Sequence, residues 1–142
     1  MLLQGNLQDL QHLGIPVTDI ERSKAFYEQF GFTETLHKEI PYKPEPIAIS
    51  MLQKGNFTIE LFQLSGEEQK AIGSRSDGHI DHLALNVIDI DKAYAEMKTA
   101  GFEILEQNAP VFLPFWEHGL KYFTVRGPDG EKVEFNQVLS HS

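Results

Sequence analysis

The sequence of 142 residues has no cysteine, few basic residues and no long hydrophobic run. Without cysteine, neither a disulfide framework nor a thiolate metal site can form. Only 12 lysines and arginines stand against 21 aspartates and glutamates, and the formal charge of −9 disfavours nucleic acid and anionic membrane surfaces as partners. No stretch approaches the roughly 20 apolar residues that cross a bilayer, and the N-terminus has no export signal. These absences predict a cytoplasmic protein that binds neither nucleic acid nor membranes.

One short phrase occurs twice in the chain. Residues 12–32 and residues 82–102 share eight identical residues at a constant offset of 70, without a gap. A histidine opens each copy, His12 in the first and His82 in the second. The length is near the commonest domain size, so we predict a single domain, residues 1–142, built from two modules. The predicted modules span about 10–64 and about 80–138, with a polar linker at about 65–79.

Each module is predicted to follow the element order β-α-β-β-β. Alternating apolar residues indicate the strands, and apolar residues three and four positions apart indicate the helices. Gly31 and Gly101 are expected to end the two helices, and Thr18 with Glu21 has the spacing of a capping box. The elements expected in the first module are strands at 11–17, 32–37, 47–52 and 57–64 and a helix at 19–30. Those expected in the second are strands at 82–87, 102–107, 120–125 and 132–138, a helix that ends before Gly101 and an aromatic loop at 108–119.

Two histidines and two glutamates are predicted to lie on the strand faces that point away from the core. His12 alternates with the apolar residues of the first strand, and His82 does the same in the second module. Glu60 stands between two apolar residues of a later strand, and Glu134 takes the matching place in the second module. A carboxylate that faced a dry core unpaired would cost several kcal/mol, so both glutamates are expected on the opposite face.

Two imidazoles and two carboxylates form a ligand set suited to one divalent ion such as Zn, Ni, Co, Mn or Fe. Such a site has coordination positions left for two waters or a bidentate substrate, and its ion can polarise a carbonyl. Taken singly, a histidine at a strand start is usually structural, and a glutamate between apolar residues usually marks a solvated edge strand. The duplication favours the metal site, with His12, Glu60, His82 and Glu134 as the predicted ligands.

Short motifs in both modules together resemble a known superfamily. In the first module they are His12, the run from Val17 to Tyr27, Gly31-Phe32 and Ile59-Glu60-Leu61-Phe62. In the second they are the run from His82 to Val87, Gly127-Pro128-Asp129-Gly130 and Val133-Glu134-Phe135. These motifs, which cover residues 10 to 138, resemble the vicinal oxygen chelate superfamily of glyoxalase I, extradiol dioxygenases, methylmalonyl-CoA epimerase, fosfomycin-resistance thiol transferases and bleomycin resistance proteins. Ligands in the order His, Glu, His, Glu are similar to those of glyoxalase I, whereas the epimerases tend to carry glutamine at the position of Glu60.

The resemblance implies an α+β fold in which two tandem βαβββ modules form a curved eight-stranded mixed sheet around a metal cleft. It implies a metal-dependent, glyoxalase I-like lyase or isomerase acting on an α-oxoaldehyde–thiol hemithioacetal, or a related carbonyl, through a metal-bound enediolate. Glu134 is then the first choice for the catalytic base and Glu60 the alternative. An epimerase, a thiol transferase and a non-catalytic small-molecule binder of the bleomycin-resistance type stay open. The resemblance also implies a small-molecule substrate and a homodimer.

The thiol cosubstrate is not identified by the residues. Glyoxalase I commonly carries in its first strand an arginine that recognises a glutathione carboxylate, whereas this chain has Gly14-Ile15-Pro16 there. Glutathione is therefore one candidate among several.

Four further residues are candidate substrate contacts. Asn86 and Asn136 are predicted to share the cleft face with the ligands, where they can hydrogen-bond a substrate oxygen or simply remain solvated. Phe115 and Trp116 lie in the aromatic loop, which can fold over the site and exclude water, or can pack at a dimer interface.

The four other histidines are not expected to bind the metal. His79 precedes His82 by three residues, and on a strand the two side chains point to opposite faces. His118 is expected at the surface of the aromatic loop, and neither His37 at a strand end nor His141 near the C-terminus has a supporting partner in the sequence.

Overall fold

A computed structural model describes residues 4–6, 8, 11–77 and 82–140, so His79 and His141 lie outside the described residues. The helices are α1 (Ile20–Glu28), α2 (Gly66–Ser74) and α3 (Ile90–Thr99). The strands are β1 (Leu13–Val17), β2 (Thr33–Ile40), β3 (Ile47–Lys54), β4 (Phe57–Gln63), β5 (His82–Asn86), β6 (Val111–Leu113), β7 (Leu120–Arg126) and β8 (Lys132–Val138). None of the described helices is both long and apolar enough to cross a membrane.

The strands form two separate four-stranded mixed sheets, ordered β1-β4-β3-β2 and β5-β8-β7-β6. The chain divides into two compact units, Met1–Ser74 and Arg75–Ser142, with one sheet in each. The predicted α+β class and the tandem βαβββ plan are confirmed, but the prediction of one curved eight-stranded sheet is wrong. The reason is that the first strand of each unit pairs in parallel with the last strand of the same unit, so the described strands find their hydrogen-bond partners within one unit.

Both predicted repeat helices begin and end as their sequences require. Asp19 caps α1 by accepting from the N–H of Arg22 at 3.1 Å, and Asp89 caps α3 through Lys92 at 3.0 Å. The cap of the first helix is therefore Asp19 and not Thr18 of the expected capping box. Each helix is followed by a glycine at positive φ, +88° at residue 31 and +89° at residue 101, a backbone conformation that favours glycine.

One predicted strand is replaced by irregular structure. Residues 102–107 contain no strand; Leu105 donates a single backbone hydrogen bond to Thr124. The side-chain Oε1 of Glu106 accepts the N–H of Thr124 at 2.7 Å, which removes the donor that a regular ladder needs. The chain pairs with β7 only later, as β6, inside the segment expected to be a loop.

The predicted linker contains a helix, α2, that the sequence pattern does not reveal. Its residues are polar or glycine apart from an alanine and Ile72, and none is buried. Gly66 has a φ of +58° at the start, and Glu67 and Glu68 lie in the first turn, where negative charge favours the helix dipole. Local charge and tertiary contacts therefore form this helix without an apolar stripe.

In each unit a helix covers one face of the sheet. Leu52, Ile59 and Leu61 are fully buried on the face against α1, and Phe123 and Val133 are fully buried in the second unit, where α3 packs against β7 and β8. Burying one such side chain contributes about 1.5–3 kcal/mol. Side chains alternate along a strand. Glu60, which lies between Ile59 and Leu61, and Glu134, which follows Val133, therefore point to the opposite faces of their sheets.

The carboxyl group of Glu131 lies at the turn between β7 and β8 and is largely buried. Its Oε1 accepts from the N–H of Asp129 at 3.2 Å, whereas Oε2 has no hydrogen-bond partner among the described residues. Gly127 leaves room for it, since a Cβ at that position would overlap the carboxylate. Burial, with a smaller contribution from the charge of Asp129, raises the pKa of Glu131 above its usual value.

We expect Glu131→Gln to raise the free energy of unfolding at neutral pH. A carboxyl group whose pKa is raised in the folded state binds its proton more tightly there than in the unfolded chain. Stability therefore falls as the pH rises from the unfolded pKa through the folded pKa. Glutamine removes the buried charge, so urea unfolding should show the gain at about pH 7 and little gain at about pH 4.

Glu34 provides a control of opposite sign. Its Oε2 accepts from Ser50 Oγ at 2.6 Å, and this bond, with smaller contributions from His37 and Lys24, holds the pKa of Glu34 below its usual value. The stability contributed by a lowered pKa is present above the unfolded pKa and is lost as the pH falls through the folded pKa. Glu34→Gln should therefore destabilise the protein at neutral pH. A loss of stability in both variants would contradict the assignment for Glu131.

Candidate functional site

Strand register places the two glutamates at equivalent positions in the two units. Gly14 on β1 pairs with Glu60 on β4, and Ala84 on β5 pairs with Glu134 on β8. Each histidine lies two residues before the small residue, Gly14 or Ala84, that pairs with the glutamate. His12 directly precedes β1, and His82 is the first residue of β5. Residues two apart on a strand share a face, so each unit presents one histidine and one glutamate on adjacent parallel strands.

The pair in the second unit is close enough to bind one ion. His82 Nε2 lies 3.5 Å from Glu134 Oε1, and the side chains are 42% and 16% exposed. This separation exceeds a good N–H···O hydrogen bond, which is about 2.7–3.2 Å. Two ligand atoms around a tetrahedral zinc ion with bonds of about 2.0–2.2 Å stand about 3.4 Å apart. The donor atoms and their spacing therefore fit a divalent ion.

Asn136 holds the carboxylate of Glu134 in a defined orientation. Its Nδ2 donates to Glu134 Oε2 at 2.8 Å, which leaves Oε1 on the side of His82. Asn86 is exposed and pairs with Asn136 across the two strands, so both predicted asparagines share the ligand face. The structure adds a role that the sequence pattern did not suggest, because Asn136 contacts a candidate ligand directly.

In the first unit a neighbouring side chain contacts the histidine ring. His12 Nδ1 lies 2.9 Å from Gln11 Oε1. A carbonyl oxygen only accepts, and in the neutral ring that donates to it from Nδ1 the lone pair for an ion lies on Nε2. Glu60 is half-buried, and no described residue hydrogen-bonds its carboxylate. Its Oε1 lies 3.9 Å from where a Cβ of Gly14 would stand.

Each unit thus supplies one of the two predicted ligand pairs. Across residues 11–77 and 82–140, no three histidine, aspartate or glutamate side chains form a group that could hold a metal ion. The set of four ligands stays a prediction, which requires one pair from each unit.

The aromatic loop exposes its large side chains. Phe115 is 50% exposed and Trp116 is 72% exposed, with their rings in an edge-to-face contact at 6.1 Å between centroids. Trp116 has a φ of +57°, which is uncommon for a residue other than glycine. Their roles in substrate binding stay predictions.

Two glutamines connect the glutamate-bearing strands to the helices. Gln63 Oε1 accepts the N–H of Ile20 at 2.7 Å, and Gln137 Oε1 accepts the N–H of Ile90 at 2.9 Å. Each satisfies a free N–H in the first turn of its helix. The sequence held a signal for them, since each glutamine follows its glutamate by three residues in both modules.

Comparison with known families gives a match that covers most of the chain. Residues 9–135 match the sequence model of the Glyoxalase/Bleomycin resistance protein/Dioxygenase superfamily. The chain belongs to this superfamily. The resemblance seen in the paired histidine and glutamate motifs is therefore confirmed at the level of the superfamily.

Individual relatives differ in what is known of them. The chain is 32% identical over 131 residues to the uncharacterized protein YwbC of Bacillus subtilis strain 168, covering 90% of this chain and 96% of that protein. It is 25% identical over 109 residues to the mitochondrial methylmalonyl-CoA epimerase of Bos taurus, covering 75% of this chain and 62% of the epimerase. The solved structure of the fosfomycin resistance protein FosX from Listeria monocytogenes, complexed with Mn(II) and sulfate ion, has a TM-score of 0.66 at 12% identity and covers 94% of each chain. This last likeness is one of fold.

Proposed function

We propose that this protein is a metal-dependent enzyme that moves a proton on a carbon next to a carbonyl group. The proposed ligands of one divalent ion are His12, Glu60, His82 and Glu134. The observation that carries the proposal is the 3.5 Å approach of His82 Nε2 to Glu134 Oε1 on strands whose equivalents in the first unit carry the same two residue types.

The protein side chains have different roles in such a reaction. A divalent ion held there supplies Lewis acidity, which makes the C–H bond next to a carbonyl more acidic. Glu134 is the proposed base. Asn136 holds its Oε2 at 2.8 Å, and Oε1, which is also the proposed ligand atom, would leave the ion in order to take the proton from the substrate carbon. The carboxylate takes a proton from that carbon and returns it to the neighbouring carbon, so that no other reactant is consumed. Glu60 is the alternative base.

The preferred reaction is a glyoxalase I-like isomerisation of a hemithioacetal or a related hydroxycarbonyl. A glutamate in each module supports this reaction, because epimerases of the superfamily are expected to carry glutamine at the position of Glu60. The likeness to a methylmalonyl-CoA epimerase supports the second candidate, in which the proton returns to the same carbon from the opposite side. Both reactions start with the same proton transfer.

The test measures this shared step directly. Protein loaded in turn with Zn, Ni, Co, Mn and Fe is incubated in deuterium oxide with two substrate sets: methylglyoxal mixed with several thiols, glutathione included, and 2-methyl-branched acyl thioesters. We expect about one bound ion per site and, with one set, exchange or conversion detected by NMR. Formation of a lactoyl thioester favours the isomerase, and exchange without a change of connectivity favours the epimerase. Failure to bind any of these ions would disprove the proposal.

The rival function is binding without catalysis, as in the bleomycin resistance proteins of the superfamily. Calorimetric titration of candidate ligands distinguishes the two functions. Tight binding that Glu134→Gln leaves unchanged, together with no proton exchange in any substrate, would establish the binder.

A further inference from the structure

The irregular segment at residues 102–107 contacts β7 beside one of the proposed ligands. Glu106 Oε1 accepts the N–H of Thr124 at 2.7 Å, and the N–H of Leu105 donates to the carbonyl of Thr124 at 2.9 Å. Thr124 is in turn the register partner of Glu134 on β8. A side chain outside the proposed ligand set is thus linked to the proposed base through one residue.

Both backbone groups of Thr124 point away from the strand that carries Glu134. In an antiparallel ladder, opposite residues alternate between pairs that exchange two hydrogen bonds and pairs that exchange none, and the second kind has the closer side chains. Because Thr124 bonds through its N–H and its carbonyl to residues 105 and 106, it forms a pair of the second kind with Glu134. The two side chains are therefore close neighbours on one face of the sheet.

In the first unit a regular strand occupies the place that Glu106 takes in the second. At the offset of 70 that relates the two modules, Leu36 corresponds to Glu106. Leu36 lies on β2 and is the register partner of Met51, which is itself the partner of Glu60. In the second unit, residues 102–107 form no strand. A carboxylate therefore supplies the acceptor for the residue that lies opposite the glutamate.

The contact from Glu106 to Thr124 is a strong restraint on β7. A hydrogen bond to an ionised carboxylate is about twice as strong as one between neutral groups. Thr124 is only 5% exposed, so loss of the acceptor would leave a buried N–H without its partner. The strand would have to move or take up water at this point, and Glu134 lies directly opposite.

We infer that Glu106 is a positioning residue for Glu134 and acts on it through Thr124. The inference rests on the proposed function, because it concerns the carboxylate assigned there as the base, and it needs the second unit alone. Glu106 keeps Thr124 in place beside the carboxylate, while Asn136 holds Oε2 at 2.8 Å. A misplacement of about 1 Å can slow a catalysed reaction about 100-fold.

Three substitutions of Glu106 separate the reach of the side chain from its charge. Glu106→Gln keeps the length and Oε1, Glu106→Asp keeps the charge but is one methylene shorter, and Glu106→Ala removes the acceptor. With metal at saturation, Glu106→Ala should lower proton exchange in the methylglyoxal–thiol or 2-methyl-branched acyl thioester mixtures by about 10- to 100-fold. Glu106→Asp should lower it less, and Glu106→Gln should keep most of the rate. Glu103→Ala, which removes a carboxylate from the same segment, is the matched control and should leave the rate unchanged.

The side-chain amide of Asn136 supplies a readout that needs neither metal nor turnover. Its protons give NMR signals that depend on the hydrogen bond to Glu134 Oε2, and Asn136→Ser assigns them. In metal-free protein, Glu106→Ala should shift these signals, and Glu106→Gln should leave them near their wild-type positions. If Glu106 only stabilised the fold, Glu106→Ala would lower the melting temperature and speed hydrogen exchange of the Thr124 amide without moving the Asn136 signals.

The outcomes separate the positioning role from the proposed function. Shifted Asn136 signals and slower exchange in Glu106→Ala, both restored in Glu106→Gln, support the positioning role. Unshifted Asn136 signals overturn it, as does an equal loss of rate in Glu103→Ala. If Glu106→Ala does not fold, the comparison of Glu106→Asp with Glu106→Gln decides in its place. If the wild type exchanges no substrate proton, the proposed function fails, and the Asn136 signals still decide whether Glu106 positions Glu134.

Discussion

A Glu134→Gln variant is expected to lose proton exchange at the substrate carbon by about 10²–10⁴-fold at saturating metal, the usual contribution of a positioned general base. Glutamine keeps the size of the side chain and an oxygen that can still meet a metal ion, but it cannot take up a proton. Asn136 donates to Glu134 Oε2 at 2.8 Å, so proton transfer is assigned to Oε1, the proposed ligand atom, which would leave the ion during the reaction. Deuterium incorporation followed by NMR measures the rate.

Glu60→Gln is the matched control for that experiment. Glu60 has the same residue type at the equivalent register position, but no described residue orients its carboxylate. If Glu134 is the base, Glu60→Gln should weaken metal binding and leave the exchange rate of metal-saturated protein within about 10-fold of the wild type. The reverse pattern, with Glu60→Gln the slower variant at saturating metal, would assign the base to the first unit.

The strand faces of the candidate ligands could be predicted because alternation along a strand is a strong constraint. Glu60 lies between two fully buried residues, and one step of register would place a carboxylate in the core. The helix ends could be predicted for a similar reason, since Gly31 and Gly101 adopt a conformation that other residues avoid. These features depend on local geometry, which a single sequence records.

Other features depend on contacts between residues that are distant in the chain, and they could not be predicted from the sequence. The segment at 102–107 alternates like a strand, yet the side chain of Glu106 takes the N–H of Thr124, 18 residues away. The helix α2 has one large apolar side chain, Ile72, which packs against Ile47 and Ile49 of β3 and Leu64 just after β4. The hydrogen bond from Asn136 to Glu134 needs both rotamers, which periodicity does not specify.

The two candidate ligand pairs also differ in their supports, which bears on how they bind an ion. In the second unit, Asn136 restrains the carboxylate, so less rotamer freedom remains to be lost on metal binding. In the first unit, Gln11 restrains the histidine ring instead, through the 2.9 Å contact at Nδ1. Each candidate pair therefore contains a member that a neighbouring amide side chain restrains, the glutamate in the second unit and the histidine in the first.

The second large effect is expected for His82→Ala, which should weaken the affinity for divalent metal by more than about 100-fold. Residues that only hydrogen-bond a metal ligand contribute about 10–100-fold to metal affinity, and loss of a ligand itself should cost more. The imidazole is 42% exposed and makes a long contact with Glu134, so its loss should change the stability of metal-free protein by less than about 1 kcal/mol. An ion at 100 times its dissociation constant stabilises the folded protein by about 2.7 kcal/mol. Metal should therefore raise the melting temperature of the wild type and leave the variant almost unchanged.

His118→Ala is the control, because His118 is a partly exposed histidine of the same unit that lies in the aromatic loop outside the proposed ligand set. It should keep both the metal affinity and the thermal shift of the wild type. Equal loss of metal binding in the two variants would mean that the ion contacts surface histidines in general, and unaltered binding in His82→Ala would remove this residue from the site. Selective loss in His82→Ala, with stability unchanged in the absence of metal, assigns the ion to the face that carries Glu134.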